Sequence, residues 1–534
     1  MQCPFLQRLK NPLRIRKSQR GNLEMMDKVN HKKLLWIFAG VLFLRAIFAL
    51  SVGYVDDDAY HWTWTQNLDW SYFDHPGMVA WLEKLSTMAF GDTRLGIRLP
   101  SYICFAGIIY FSWKLVADLF DEVAATFVAA LILLTPLWGF GGFVASPEPP
   151  FMLLWLLAVQ VFWNGVREDD KRWSVKKTWL WLGVIMGVAL NTKFPIVLIA
   201  PGFGLYLLAT PGRRKDLLTI WPWVGALVAV VLLAPVVYWN MKYDWPSFRF
   251  QFHDRHTGGG FELARWFKFL SLQMILLSPG VYLSVMLAWV VSIVKFKDPR
   301  WRLLFCLSLP SFLVFYPQPL WADFKPHWMG PAYFMLAFGV GAMWSQGLQI
   351  GKRTWIKKHS RGLLWTCLSF LIPMNILIYA PLVYPWVPKL ARAIAPGSTW
   401  EMKNDVSNEL FGWPEAGEKA LAWQKEIAAE TGKEPFLAGH RYEMTAQIWK
   451  ATMKRTYMLS STWSHFTITT TPEEYDALKG RDAIMIGNDK YDFDPMEYAK
   501  FDSCETREFK YYRADELSRI FKLYHCRNFQ GIKR

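Results

Sequence analysis

The chain has 534 residues, of which 53% are hydrophobic, 17% aromatic and only 19% charged, with 30 Trp. That is too apolar for an ordinary soluble enzyme. The formal charge of +16 does not indicate nucleic acid, because the basic residues gather in short loops between apolar runs, as in the cytoplasmic loops of membrane proteins.

Residues 1–33 carry nine Lys/Arg and read as a basic cytoplasmic N-terminus. They run into a long apolar segment without a small-residue cleavage site, so no cleavable signal peptide is expected. Eleven spans are expected, at about 34–55, 97–119, 123–140, 150–165, 178–191, 194–210, 218–239, 268–294, 302–316, 328–347 and 362–384. Alternate loops then place "REDDKRWSVKK", "PGRRKD", "KFKDPRWR" and "GKRTWIKKHSRG" on the side of the N-terminus; each is basic, and the short "DLFDEV" turn on that side is the exception. Residues 178–210 read as two short helices with Asn191-Thr192-Lys193 at the tip, because one long helix would set Lys176-Lys177 and Arg213-Arg214-Lys215 on opposite faces.

The other face receives "DDDAYHW…FDHPG", "GGFVASPEPP", "NTKF", "WNMKYDWPSFRFQFHDRHTGGGF" and "PQPLWADFKPHW". Acids, His, Lys and aromatics gathered on one side of an apolar bundle read as the rim of an active site. Residues 398–534 contain no run of membrane length and read as a soluble α/β domain on that same outer side. There "EPFLAGH" and "DAIMIGND" read as strands, and "RYEMTAQIWKATM" and "ADELSRIFKLY" as helices. Cys504 and Cys526 are the only Cys in it, and a disulfide is expected in that compartment. No internal repeat is visible, which argues against carriers built from two related halves.

The rim motifs each have a plain structural reading. Asp56-Asp57-Asp58 could simply end a span, and the Trp and Tyr around them could anchor at the interface. Asp74-His75-Pro76-Gly77 reads as a capped turn before the amphipathic "MVAWLEKL", although a helix N-terminus also binds anions. Lys325-Pro326-His327-Trp328 contains a snorkelling Lys and an interfacial Trp, which leaves His327 unexplained. Glu148 between two prolines suits a helix start. Arg45 sits inside a span, where a charge faces the bundle interior and pairs. Together the rim offers acids to ionise a nucleophile, acids and His for a divalent cation, and Lys, Arg and His for phosphate. There is no phosphate-binding Gly loop and no dinucleotide fingerprint, so no nucleotide cofactor is expected. A lipid phosphate delivered within the bilayer is the alternative donor.

Asp57-Asp58-Ala59-Tyr60, Tyr72-Phe73-Asp74-His75-Pro76, and Lys325-Pro326-His327-Trp328 followed by Pro331-Ala332-Tyr333 together resemble the bacterial branch of the protein-O-mannosyltransferase superfamily. These are GT-C glycosyltransferases of family 39/83 type, related to the lipid A aminoarabinose transferases. The resemblance covers roughly residues 35 to 385. The chain departs from the family where it has Asp57-Asp58 for Asp-Glu, and Pro147-Glu148-Pro149 for Pro-Asp-Ala.

The resemblance implies a polytopic α-helical GT-C domain over 34–385 in the bacterial inner membrane, with its site and the α/β domain facing the periplasm. It implies transfer of a sugar, with inversion, from a polyprenyl-phosphate donor to a hydroxyl of a glycolipid, polysaccharide or protein. Asp57 would be the general base, with Asp58 and Glu148 as further catalytic acids. His75, Lys193, Lys325 and Arg255 would bind the donor phosphate, and Asp74 and His327 would surround a divalent metal cation. A flippase for lipid-linked sugars is the alternative; it would carry charges deep in several spans rather than at one rim. A membrane-bound sensor or assembly factor would account for the outer domain but not for the acid and His clusters.

Overall fold

The computed structural model describes residues 31–169, 172–251, 260–347, 355–396 and 404–533. The helix His31–Ser51 begins in a unit that ends at Ile47; residues 48–534 form a second compact unit, which holds the site. The helices that position the site are α1 (Asp56–Gln66), α2 (Met78–Phe90), α3 (Arg94–Leu119), α4 (Glu148–Val166), α5 (Val175–Leu190) and α6 (Gly330–Gln346). Their starts follow local chemistry. Thr93 caps α3 through the Gly96 amide, and Ser174 caps α5 through the Lys177 amide. Pro149 and Pro150 open α4, where their missing N–H groups cost nothing. Every residue of α6 from Gly330 to Met343 is buried. A helix apolar all round belongs in the middle of a bundle.

Among the described residues, three helices are long and apolar enough to cross a membrane alone, Arg94–Leu119, Glu148–Val166 and Pro299–Leu320; the number rises to seven if each bent pair is one span. Eleven runs are expected from the sequence, and the difference has a local cause. The apolar runs are interrupted where proline removes a backbone donor. The run expected at 123–140 is a helix Glu122–Leu134 that stops before Pro136, followed by the short Pro136–Gly141. The run at 268–294 bends by 105° between Leu277 and Pro279, where Ser278 takes φ 74°. Residues 191–193 form a turn between α5 and the 3-10 turn Phe194–Leu198, which leads into Ile199–Ala209.

Beyond residue 404 the chain builds a five-stranded sheet flanked by α7 (Trp413–Thr431) and α8 (Tyr442–Thr452). The strands are β1 (Phe436–Gly439), β2 (Thr456–Met458), β3 (Ala483–Asn488), β5 (Ser503–Arg513) and β6 (Glu516–Arg527); β4 (Ala499–Lys500) and β7 (Gly531–Ile532) pair separately. The order is β2-β1-β3-β6-β5, with β1 parallel to β2 and β3, and β6 antiparallel to β3 and β5. Cys504 and Cys526 face each other across β5 and β6 and are joined as a disulfide.

One expected element is overturned. "ADELSRIFKLY" is a hairpin turn and a strand, not a helix. Ala514 and Asp515 take φ 43° and 65°, a two-residue turn that matches the twist of paired strands. The sequence misleads because Leu517, Ile520, Phe521 and Tyr524 fall at helical spacing. β6 lies between β3 and β5, so apolar residues are buried without strict alternation.

The sheet region and the helical region from Phe48 onward form one unit. They share a core in which Ala59, Tyr60 and Trp64 of α1 and Val79 and Ala80 of α2 pack with Ala446 of α8, Met458 of β2 and Phe466.

Candidate active site

α1 opens with three acids, which suit the positive end of a helix dipole. Successive helical residues point about 100° apart, so the three carboxylates diverge. Asp58 turns inward and is fully buried. One of its oxygens accepts from Arg98 and from the Val55 amide at 3.1 Å; the other accepts from the Ala145 amide at 2.8 Å. Arg98, 3% exposed, also donates to the carbonyls of Ala49, Val52 and Gly53. Asp56 turns toward α8, where the Gln447 amide donates to it at 2.9 Å. Burial raises the Asp56 carboxyl to about 6, and the Gln447 hydrogen bond opposes that rise.

Asp57 is the most exposed of the three, with Asp56 half-buried and Asp58 buried. That surface lines a largely apolar cavity of about 270 Å³. Enclosure therefore raises its carboxyl to about 7, reinforced by the nearby charges of Glu148 and Asp58 and opposed by Lys325. His61, one turn along α1, donates from Nδ1 to the Ala145 carbonyl at 2.9 Å, and burial lowers its pKa.

The same cavity brings Glu148, Lys193 and His327 to Asp57; Phe105, Trp138, Phe140 and Phe334 form much of its apolar wall. Lys193 donates to Glu148, and His327 Nε2 lies 3.4 Å from the same carboxylate oxygen. The turn that carries Lys193 is pinned on two sides. The Asn191 amide donates to the Leu232 carbonyl at 2.7 Å, and the Asn191 carbonyl accepts from the Met78 amide at 2.9 Å.

Two further cavities adjoin. One, of about 200 Å³, is lined by His75, Lys193 and Gln251 among apolar residues. The other, of about 590 Å³, is lined by Asp74, Arg265 and Lys325 from the helical region and by Arg441, Tyr442 and Trp463 from beyond residue 404. Trp328 borders all three.

Asp57, Glu148, Lys193 and His327 thus share one cavity, His75 joins Lys193 in the next, and Lys325 and Asp74 lie in the third. Asp58 is in none of these. Arg255 lies outside the described residues. Asp74 does not cap α2 as expected: the cap position is Gly77, without a side-chain hydrogen bond. The Asp74 carboxylate instead accepts from the Tyr60 hydroxyl. Asp74 and His327 line different cavities and have different partners. Among the described residues no group of three or more His, Cys, Asp or Glu is placed to hold a metal ion. This donor set does not fit a cation held between Asp74 and His327.

Three residues that shape the site carry no motif. Arg98 sits near the start of an expected span, where the rule that intramembrane charges pair was the available signal. Gln447 and Tyr442 reach α1 from nearly four hundred residues away, and nothing in the sequence announces that contact.

Residues 74–239 match the protein family described as dolichyl-phosphate-mannose-protein mannosyltransferase. The chain is 24% identical over 304 residues to the lipid A galacturonosyltransferase RgtD of Rhizobium johnstonii, covering 55% of this chain and 62% of that protein. It is 28% identical over 165 residues to the undecaprenyl phosphate-alpha-4-amino-4-deoxy-L-arabinose arabinosyl transferase of Yersinia enterocolitica, covering 31% of this chain and 30% of that one. It therefore matches less than two thirds of the length of either relative. Among solved structures, ArnT from Cupriavidus metallidurans in the apo state superposes with a TM-score of 0.58 at 16% identity, over 92% of this chain and 98% of that one. The same protein bound to undecaprenyl phosphate gives 0.57 at 16% identity, over 92% and 97%. These matches bear out the resemblance carried by the motifs and show a GT-C fold.

Proposed function

We propose that the chain is an integral-membrane glycosyltransferase of the bacterial inner membrane. It moves a sugar from a polyprenyl-phosphate donor to an acceptor hydroxyl, with inversion, at a site facing the periplasm beneath the α/β region. The eleven-span topology, set by the basic loops, belongs to this proposal. The observation that carries it is that Asp57, alone of three consecutive acids, faces a largely apolar cavity that also holds Lys193 and His327.

The chemistry follows from that arrangement. A carboxyl raised to about 7 is matched to its task as a base near neutral pH, worth about 10²–10⁴ in rate. Asp57 takes the proton of the acceptor hydroxyl as the oxygen attacks the anomeric carbon. The bond from that carbon to the phosphate oxygen breaks on the opposite side, and polyprenyl phosphate leaves with the electron pair. Its growing charge is met by Lys193, Lys325 and His75, preorganised donors of the kind that lower such barriers most. The Phe105, Trp138, Phe140 and Phe334 wall suits the proximal isoprene units. Glu148 holds Lys193 and His327 in place until the donor phosphate takes over the pairing. Asp58 is assigned to anchoring α1.

The named relatives support the donor and acceptor classes. One is named for transfer to lipid A, another for an undecaprenyl-phosphate-linked aminoarabinose, so lipid A is the acceptor to test first. Purified protein in liposomes, given an undecaprenyl-phosphate-linked sugar and lipid A, should release free undecaprenyl phosphate in step with glycosylated acceptor. Movement of intact donor across the bilayer without that release would overturn the proposal in favour of a flippase.

A further inference from the structure

We infer that Gln447, on α8 beyond the membrane bundle, is a positioning residue for Asp57, which makes the C-terminal region part of the transfer site. This rests on the reading of Asp57 as the base. Its amide group donates one hydrogen to Asp56 at 2.9 Å and another to the Tyr54 carbonyl at 3.2 Å. It therefore spans the last residues before α1 and the first residue of α1 itself. On the opposite side the same helix start is held by Arg98 and the Ala145 amide through Asp58. Two grips on residues 56 and 58, from two parts of the chain, fix the rotation of the helix. With both satisfied, the carboxylate between them has one direction left, toward the cavity.

Packing around the grip agrees. The Tyr442 ring, one end of α8, lies 4.7 Å from the Tyr60 ring on α1, and Phe466 lies 5.8 Å from it. The His465 backbone amide donates to the Tyr60 hydroxyl at 3.3 Å, which in turn donates to Asp74. Trp449 meets Trp62 edge-on at 6.3 Å. Apolar contacts of this kind hold the two helices together but tolerate rotation. The directional bonds of Gln447 do not. Without them α1 keeps its neighbours while Asp57 loses its aim, and a misplacement of the base by about 1 Å is enough to cost rate.

A positioning role and a merely structural role separate by additivity. Groups that act as one unit are strongly non-additive, whereas independent effects multiply. The test measures single-turnover release of polyprenyl phosphate by the full-length protein in four forms: parent, Gln447→Leu, Asp57→Asn and the double variant. Gln447→Leu should lower the parent rate by about 10-fold or more with little change in donor KM, yet change the residual Asp57→Asn rate by less than about twofold. An equal fold-loss in both backgrounds, or a parental rate for Gln447→Leu, would overturn the inference while leaving Asp57 as the base. A parental rate for Asp57→Asn would instead overturn the base, and the inference with it. If Gln447→Leu does not fold, Gln447→Met keeps the length of the side chain, has no N–H to donate to Asp56 and is read by the same comparison.

Discussion

Two ion pairs stand close to the proposed base, and they are built for opposite purposes. Asp58 and Arg98 are 0% and 3% exposed, and both oxygens of Asp58 are committed to protein donors. Nothing from outside can take Asp58 away from Arg98. Glu148 and Lys193 meet as closely, but the Glu148 side chain is 32% exposed to the cavity, and His327 approaches the same oxygen. An incoming anion can take Lys193 over from Glu148. Charge in an apolar setting is costly unless paired. The first pair meets that cost once, during folding. The second holds a cation in a place where a substrate phosphate can become its partner.

Breaking the closed pair should cost the most. Arg98→Leu strands a buried carboxylate, and thermal unfolding in detergent should show destabilisation of about 3–5 kcal/mol. The double variant Arg98→Leu, Asp58→Leu should recover only part of it, because the Val55 and Ala145 amides and the Ala49, Val52 and Gly53 carbonyls lose these partners as well. Full stability of the single variant would mean the pair is not an anchor. Opening the second pair should leave folding nearly intact and act on the donor. Lys193→Met is expected to lower kcat/KM for the donor by about 10-fold or more, about 1.4 kcal/mol or more, with kcat falling as well and the unfolding temperature little changed. The smallest effect is the sharpest in sign. Glu148 is the first charged neighbour that raises the Asp57 carboxyl, so Glu148→Gln should move the acidic limb of the rate-pH profile to lower pH. A shift to higher pH would contradict the electrostatic account of the cavity.

The helical character and the rim were legible because apolar runs, basic loops and motif spacing are local signals. Asp57, Glu148, Lys193 and His327 are nominated through the family resemblance of the rim motifs, yet only the fold shows that they share one cavity. The different fates of Asp56, Asp57 and Asp58 were not legible. They depend on Gln447 and Arg98, residues distant in sequence whose types carry no signature. The rule that a charge inside a span must pair applies equally to Arg45 and Arg98, and the sequence does not say which one meets an acid of the rim. The span pattern was blurred by prolines such as Pro136 and Pro279, which break apolar runs without changing their composition. The misreading of residues 514–524 has the same character: periodicity alone does not distinguish a central strand from a helix face, and the left-handed turn at Ala514-Asp515 lacks the Asn or Gly that would announce it.

The central claim is that Asp57 is a base whose carboxyl sits near 7. Its most direct test is the pH dependence of single-turnover polyprenyl phosphate release by the parent and by Asp57→Asn. A base works only when deprotonated, so the parent rate should rise with pH through about 7 and level off above it. Asp57→Asn should fold and bind donor normally, turn over ~10²-fold or more slowly, and lose that rise, since its amide does not titrate. A folded Asp57→Asn protein with a near-parental rate and the same profile would contradict the account.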